Sequence, residues 1–563
     1  MDLGPHWRGR ERYVVFDAAW GDGSAFEALA TAWRADPQRP AHLHYIALAE
    51  GMLPGFHRLP QADAAITLDL LCAPLAAALA QLSARLDAVR LNDARGEFAR
   101  PLARLCVPGT ILSAAGLAPD RQAALAAAGF VWDAARSGAV FASRKPFAAP
   151  RTAPERRAVV IGAGLAGAAA CERLCARGWQ VTLVERHAQP AMEASGNLAG
   201  IFMPLLSRDD NIPTRLARAA YLFALRYWAG IGGIGAAIEG AQCGVLQLAR
   251  DAGHAQVQRA IAAERGYPRE FAEWLDSDAV GALLDHPTAG GTLAAWKGAP
   301  LAPDGAWLFR QGGWARPGSV CAAMLAACGE RLIQRFGVGS VTLERGDGEW
   351  LVRDAQGATV AQAPTVILAN GAGAAQLAQS ASLPLDAVRG QVTHLDAAQV
   401  PALPFVLCRE AYLTPPAHGI CSAGASYDEH ADPVLSAASQ RQNLDKLRSM
   451  LGDPGIGAAA PLAGRVGFRS VAPDRLPLVG ALADDTRSAK PERLRNMARH
   501  PGLHTLLAYA SRGLIWAPLA AELLASQLEA EPLPLETTLV RALDPARFLL
   551  RGRRNNTRLG NNQ

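Results

Sequence analysis

Two stretches of the chain share one order of apolar and polar positions: a short apolar run, a glycine-marked turn, then helical spacing. The first is Tyr13 to Phe26 (YVVFDAAWGDGSAF) and the second is Ala158 to Glu185 (AVVIGAGLAGAAACERLCARGWQVTLVE). An unbroken apolar run before a glycine turn fits a strand covered on both faces, as in a parallel sheet. Each stretch therefore predicts the start of a strand–turn–helix unit, and two such starts predict two nucleotide-binding-type domains. Between them, Ser143 to Arg157 holds three prolines and clustered charge with no apolar period, which reads as a linker. The expected division is a domain over 1–147, a linker over 148–157, a domain over 158–550 and a basic tail over 551–563. Apolar spacing further predicts helices over Asn211–Trp228, Ser319–Gln334 and Ala517–Glu529. Strands are predicted over Ser340–Leu343, Glu349–Asp354, Thr365–Ala369 and Val392–Leu395. The end of the chain from Arg547 to Gln563 is basic and then Asn-rich, and reads as a solvated tail.

Composition narrows this picture. A chain of 563 residues exceeds the size at which one core stops growing, so two or more domains are expected. Half the residues are hydrophobic and 19% are charged, the balance of a globular protein rather than a disordered one. No apolar run is long enough to cross a bilayer, and the alanine-rich stretch Ala73 to Ala80 reads as buried helix. Met1 to Arg12 shows no apolar export signal. The nine cysteines are scattered and never spaced as CxxC, and Cys171 and Cys175 sit in a predicted helix as core residues. These features together predict a cytoplasmic protein without a membrane segment or a metal. The net charge is +5, carried almost wholly by arginine beside four lysines. Arginine suits phosphate recognition, but the same excess follows from a compositional bias.

The second strand–turn–helix unit carries the chemistry. Gly162, Gly164 and Gly167 form GxGxxG between the run Val159–Ile161 and a helical pattern. The first glycine permits a tight turn, the second lets backbone approach a pyrophosphate, and the third lets helix and strand pack closely. The pyrophosphate then meets the unpaired N–H groups of a helix N-terminus. The following strand ends in Glu185, 18 residues past Gly167, where a carboxylate can accept hydrogen bonds from ribose hydroxyls. Ala194 to Asn197 (ASGN, with Ser195 and Gly196) lies shortly after this acid, and a distant apolar strand ends in Ala369–Asn370–Gly371.

These two segments resemble FAD enzymes of the D-amino-acid oxidase and glycine oxidase superfamily. Further segments narrow the resemblance: ASGNLAGIFMPLLSRDDN from Ala194, QGGWARP from Gln311, GQVTH from Gly390 and YLTP from Tyr412. GASY from Gly424, GFRSVAPDRLPLVG from Gly467 and SRGLIWAP from Ser511 follow in order. Together they resemble the oxidoreductase half of the bifunctional tRNA 5-methylaminomethyl-2-thiouridine biosynthesis family. The resemblance implies an α/β protein: an N-terminal Rossmann-like, methyltransferase-type domain, then a two-lobed FAD-binding, D-amino-acid-oxidase-like α+β domain. It implies FAD as cofactor, the wobble uridine of tRNA as substrate, and oxidative removal of a carboxymethyl group from 5-carboxymethylaminomethyl-2-thiouridine. It also implies a second step that methylates the product amine from S-adenosylmethionine. Arg469 aligns with the superfamily's substrate-carboxylate arginine, with Arg465 and Arg512 as the other candidates. Gly513 and Leu514 resemble the loop facing the flavin's pyrimidine end, and Tyr412 and Tyr427 are candidates for the substrate pocket. The rival readings are an oxidase of a free small amine such as glycine or sarcosine, and a non-catalytic tRNA-binding protein. Nothing in the sequence sets the oligomeric state.

The N-terminal half resembles the family's methyltransferase half over residues 11 to 147, with losses. Gly21 and Gly23 are in place for a methyl-donor loop. The chain begins well after the family's usual start, however, and the acid expected after the second strand is displaced to Glu50. The family's catalytic Asp is replaced by Asn92, with Asp93 one residue away. An amide cannot accept a proton as a carboxylate can. A retained scaffold with little or no methyl transfer is the expectation.

Overall fold

A computed structural model describes residues 3–91, 96–114, 116–133, 138–142, 155–285, 303–428, 430–458, 462–487 and 493–551. They pack into two compact units. One comprises Met1–Pro154 with Glu522–Ala542, and the other Glu155–Ala521 with Leu543–Gln563.

The first unit is built on an eight-stranded sheet. Its strands are β1 (Arg12–Asp17), β2 (His42–Leu48), β3 (Gly55–Leu59), β4 (Ile66–Cys72), β5 (Leu86–Arg90), β6 (Cys106–Ser113), β7 (Phe130–Asp133) and β8 (Gly138–Phe141). The order is β3-β4-β2-β1-β5-β6-β8-β7. The five strands from β4 to β6 run parallel, while β3 and β8 pair antiparallel with them and β7 pairs antiparallel with β8 at the edge. The apolar run of β1 is explained by this position: Val14 and Phe16 enter one core cluster and Tyr13 and Val15 enter another. Both faces of the strand are therefore buried, and no polar alternation is possible.

The same unit contains a buried ionic network. The Arg58 guanidinium, on β3, donates to both carboxylate oxygens of Asp69 at 2.8 and 2.9 Å. It also donates to Glu522 at 2.7 Å, to the Ser526 hydroxyl at 2.8 Å and to the Pro532 carbonyl at 2.7 Å. His44 completes the group, 2.7 Å from Asp69. Burial pushes the Asp69 carboxyl up, but the Arg58 charge and then His44 outweigh it and hold it at about 2. One planar cation thus satisfies partners from β4 and from the returning segment Glu522–Ala542.

The second unit holds two larger sheets. The nucleotide-side sheet orders Leu332–Arg335, Gln180–Val184, Arg157–Ile161, Thr365–Leu368, Arg499–Leu507 and Leu478–Ala483. All its neighbours are parallel except the last pair. The other is an eight-stranded sheet whose last two strands are Asp386–Asp396 and Gly464–Val471, paired antiparallel. The two layers give the mixed α/β architecture that the sequence predicts.

Three local readings change. The expected helix Ser319–Gln334 is a helix over Pro317–Ala327, a short 3₁₀ turn over Gly329–Arg331 and then the strand Leu332–Arg335. Gly329 breaks it at φ 56°, and Leu332 pairs with Val181 as an edge strand, a tertiary demand that overrides local helix pattern. The helix expected from Ala517 begins at Gly513 and carries Pro518 inside it. The basic end is also part of the fold as far as Arg551. Arg547 is buried and donates to both oxygens of Asp474 at 2.9 Å, so it is a structural residue and not a solvated one. Among the described residues no helix is long and apolar enough to cross a membrane, and no cluster of metal-ligating side chains occurs.

Removing one partner of a buried ion pair typically costs about 3–5 kcal/mol. Arg58→Ala is therefore expected to lower the stability of the first unit by about that amount. A denaturant titration followed by tryptophan fluorescence reads this as a lower midpoint. An unchanged midpoint would show that the network contributes nothing.

Candidate functional site

The turn after Arg157–Ile161 is set by backbone contacts. Gly162 has φ 103°, which favours glycine, and a Cβ there would lie 2.7 Å from the Ala369 carbonyl oxygen. A Cβ on Gly167 would lie 1.8 Å from the Gly162 carbonyl oxygen, so the helix Leu165–Cys175 seats directly on the turn. Gly164 precedes that helix in an extended conformation, and the Ser195 hydroxyl accepts the Leu165 N–H at 3.1 Å. Glu185 accepts N–H bonds from Ala163 at 2.7 Å and from His187 at 2.9 Å. Its carboxylate is thus held at the strand end by backbone, with lone pairs left over for a hydroxyl ligand. Gly371, at φ 58°, opens the 3₁₀ turn after Thr365–Leu368.

Gly162, Gly164, Glu185, Ser195 and Gly371 line a cavity of about 530 Å³. The walls continue through Ser195, Asn197 and Gly371 to Tyr412, Arg469, Gly513 and Leu514. Among the described residues, three that line it carry buried polar atoms with no partner: Asn370 Oδ1, Ser470 Oγ and Tyr509 OH. Orphaned polar atoms around a long cavity that starts at a helix N-terminus suit an extended, polar, anionic ligand. FAD fits that description: Gly162, Gly164 and Glu185 would hold its dinucleotide end, with Asn370 packed beside Gly162.

The far end is cationic. Arg469 projects from the strand Gly464–Val471 and its guanidinium lies 4.2 Å from the centroid of the Tyr427 ring. It donates to the Ser426 carbonyl at 3.2 Å and, among the described residues, pairs with no carboxylate. Gly390, opposite Gly467 on the neighbouring strand, leaves room for it: a Cβ at 390 would lie 2.2 Å from Arg469 Nη1. Sequence reasoning passed over Gly390 as a site residue, although its place in the GQVTH segment was available. Burial pushes the Tyr412 phenol up to about 12, partly offset by Arg469, so it stays a neutral hydroxyl. Arg512 lies between the lining residues Ser511 and Gly513. Burial pulls its guanidinium below the usual range, with Tyr427 and Cys408 nearby, and it forms no ion pair among the described residues. Arg465, the remaining carboxylate candidate, is occupied: it donates to the Met192, Glu193 and Asn197 oxygens.

The glycine loop of the first unit is differently furnished. Gly21 and Gly23 have φ of 60° and 83° and lead into the helix Ser24–Ala35. A Cβ on Gly23 would lie 2.7 Å from the Trp20 indole, which packs over it. The Asp17 carboxylate at the end of β1 accepts from Tyr45 OH at 2.6 Å and pairs with Arg90 at 3.1 Å. In the second unit the residue immediately after the second strand is Glu185; here it is Ala49, which is buried, and Glu50 is exposed to solvent. S-adenosylmethionine carries a ribose too, and the acid at that strand end, Glu50, is displaced by one residue and exposed to solvent. Asn92 and Asp93 lie outside the described residues.

Residues 157–527 match the family of FAD dependent oxidoreductases. A tRNA 5-methylaminomethyl-2-thiouridine biosynthesis bifunctional protein MnmC from Burkholderia thailandensis is 38% identical, over 98% of this chain and 92% of that protein. One from Azoarcus sp. is 39% identical with the same shares covered. Among solved structures, glycine oxidase from Geobacillus kaustophilus superposes with a TM-score of 0.53 at 21% identity, covering 69% of this chain and 99% of that one. L-proline dehydrogenase from P. horikoshii gives 0.56 at 17% identity, covering 71% and 98%. These two structural likenesses show the fold.

Gly164→Trp is expected to abolish FAD uptake, because an indole beside Ser195 would fill the approach to the helix N-terminus. The flavin absorbance of the purified variant measures this directly; full occupancy would place the dinucleotide elsewhere.

Proposed function

The chain belongs to the family of tRNA 5-methylaminomethyl-2-thiouridine biosynthesis bifunctional proteins and is an FAD-dependent oxidoreductase. From that premise we propose that it oxidises the carboxymethylaminomethyl side chain of the wobble 2-thiouridine in tRNA, releasing the aminomethyl base and glyoxylate. The observation that carries this reading is Arg469, a guanidinium lining the cavity that, among the described residues, pairs with no carboxylate.

The substrate side chain is an N-substituted glycine. Bound FAD supplies the hydride acceptor. Arg469 is suited to grip the carboxylate with its planar fork, which fixes the methylene carbon relative to the cavity. Tyr427 holds that guanidinium from one side, so its direction is set before substrate arrives. Tyr412 and Arg512 complete the polar end, and Arg512 adds a second cation for an anionic substrate. Hydride leaves the methylene carbon as the nitrogen lone pair forms an imine. Water adds to that imine, and the C–N bond breaks to give amine and glyoxylate. The chain needs no base for hydride loss beyond keeping the amine neutral. The Gly513 and Leu514 backbone, at the start of the helix Gly513–Leu528, is placed to favour negative charge at the cavity wall.

We assign the first unit a scaffold role with little or no methyl transfer. Ala49 at the donor-ribose position, Asp17 engaged by Tyr45 and Arg90, and Asn92 in the aligned catalytic place support this. We infer that the protein works in the cytoplasm, with tRNA as its macromolecular partner.

Arg469→Ala is expected to lower kcat/KM on carboxymethylaminomethyl-bearing tRNA by about a hundredfold, with FAD content unchanged. Turnover of glycine or sarcosine at rates above those on tRNA would instead establish the free-amine reading.

With aminomethyl-bearing tRNA and labelled S-adenosylmethionine, methyl incorporation should run about 10² to 10⁴ below that of a relative retaining the catalytic acid. Efficient methylation would overturn the scaffold assignment and point to Asp93.

A further inference from the structure

Arg465 sits on the same strand as Arg469, four residues earlier, and so on the same face with Gly467 between them. Its guanidinium reaches away from the substrate end. Nη2 donates to the Met192 carbonyl at 2.6 Å and to the Glu193 carbonyl at 2.5 Å, and Nη1 donates to Asn197 Oδ1 at 3.2 Å. All three acceptors belong to the loop that carries Ser195 and forms one wall of the cavity. That loop is otherwise tied to the dinucleotide turn: Ala191 N–H donates to the Ala163 carbonyl at 3.1 Å, and Ser195 receives Leu165 N–H. Gly196 is shaped by the same contact, since a Cβ there would lie 2.3 Å from Arg465 Nη2. Burial lowers the affinity of this guanidinium for its proton and the nearby Glu193 raises it. A half-buried cation is thus committed to holding a loop and is not free to receive a substrate.

We propose that Arg465 is a positioning residue for FAD: it clamps the Met192–Asn197 loop from the strand that bears Arg469, so that the cofactor wall and the substrate cation share one rigid support. Three acceptors spread over six residues match a planar fork and cannot all be reached by an ammonium. The inference rests on the FAD reading of the cavity, and it separates two arginines of similar sequence context. Arg469 acts on substrate, and Arg465 acts through the loop on cofactor retention.

The test is a titration of the apoprotein with FAD, followed by flavin fluorescence, on wild type, Arg465→Ala, Arg465→Lys and Arg469→Ala. Arg465→Ala should bind FAD about ten- to hundredfold more weakly, the scale expected from losing charge-assisted bonds to a cavity wall. Arg465→Lys should recover only part of the loss, and Arg469→Ala should bind as wild type. At saturating FAD, Arg465→Ala should regain kcat and substrate KM within about threefold, which a generally damaged fold would not do. Amide exchange over 192–197 should quicken in the Arg465→Ala apoprotein. Wild-type apoprotein that takes up no FAD would refute the proposed function itself. Wild type that binds while Arg465→Ala and Arg465→Lys bind within twofold, with unchanged exchange, would overturn the clamp alone. Should the alanine variant not fold, the lysine variant decides by the same two measurements.

Discussion

The cavity depends on how closely backbone can approach backbone at one point. The turn at Gly162 meets the end of Thr365–Leu368, and the helix Leu165–Cys175 rests on the Gly162 carbonyl through Gly167. A side chain at either glycine would separate elements that lie closer than any Cβ allows. Because they do meet, the start of the helix lines the same space as Glu185 and Gly371. The polar atoms of Asn370, Ser470 and Tyr509, buried without partners, line the same space. Close packing on one side and unmet hydrogen-bonding capacity on the other are complementary halves of one binding site.

The strand Gly464–Val471 gives this cavity its direction. It places Arg465 against the loop beside the dinucleotide turn and Arg469 at the opposite end, with the small Gly467 between. Gly390 across the ladder makes the Arg469 conformation possible. A single strand thereby relates the cofactor wall to the substrate charge, and its rigidity comes from eight consecutive register pairs with Asp386–Asp396. Catalysis by orientation needs a support of this kind, because small misplacements of a reacting carbon are costly.

The two units show how one signature can lead to different chemistry. Both have a parallel sheet, a glycine turn and a helix in the same order. In one, an acid follows the second strand and the cavity beyond is lined with orphaned polar atoms. In the other, alanine stands at that place, Glu50 one residue on is exposed to solvent, and Asp17 is satisfied by the protein itself. The scaffold is kept by burial on both sheet faces, which constrains β1 to apolar residues whatever the site above it does. The site imposes no such requirement on the fold, so its residues can change while the sheet remains.

The sequence by itself determined the strand–turn–helix starts at Tyr13 and Ala158, the glycine spacing, and Glu185 as the acid after its strand. Each is a local pattern whose cause is local: glycine φ values, apolar periodicity, and a motif that keeps strand, turn and helix within about thirty residues. Tertiary structure alone decided what depends on distant partners. The division of labour between Arg465 and Arg469 is invisible in GRVGFR, since both are arginines on one strand face and only the neighbouring loop distinguishes them. The same holds for Arg58, whose partners Asp69 and Glu522 lie far apart along the chain, and for Leu332–Arg335, a strand because Gln180–Val184 offers an edge to pair. Residue type sets what a side chain can bond to. Which bond it makes is settled by what folding brings within about 3 Å of it.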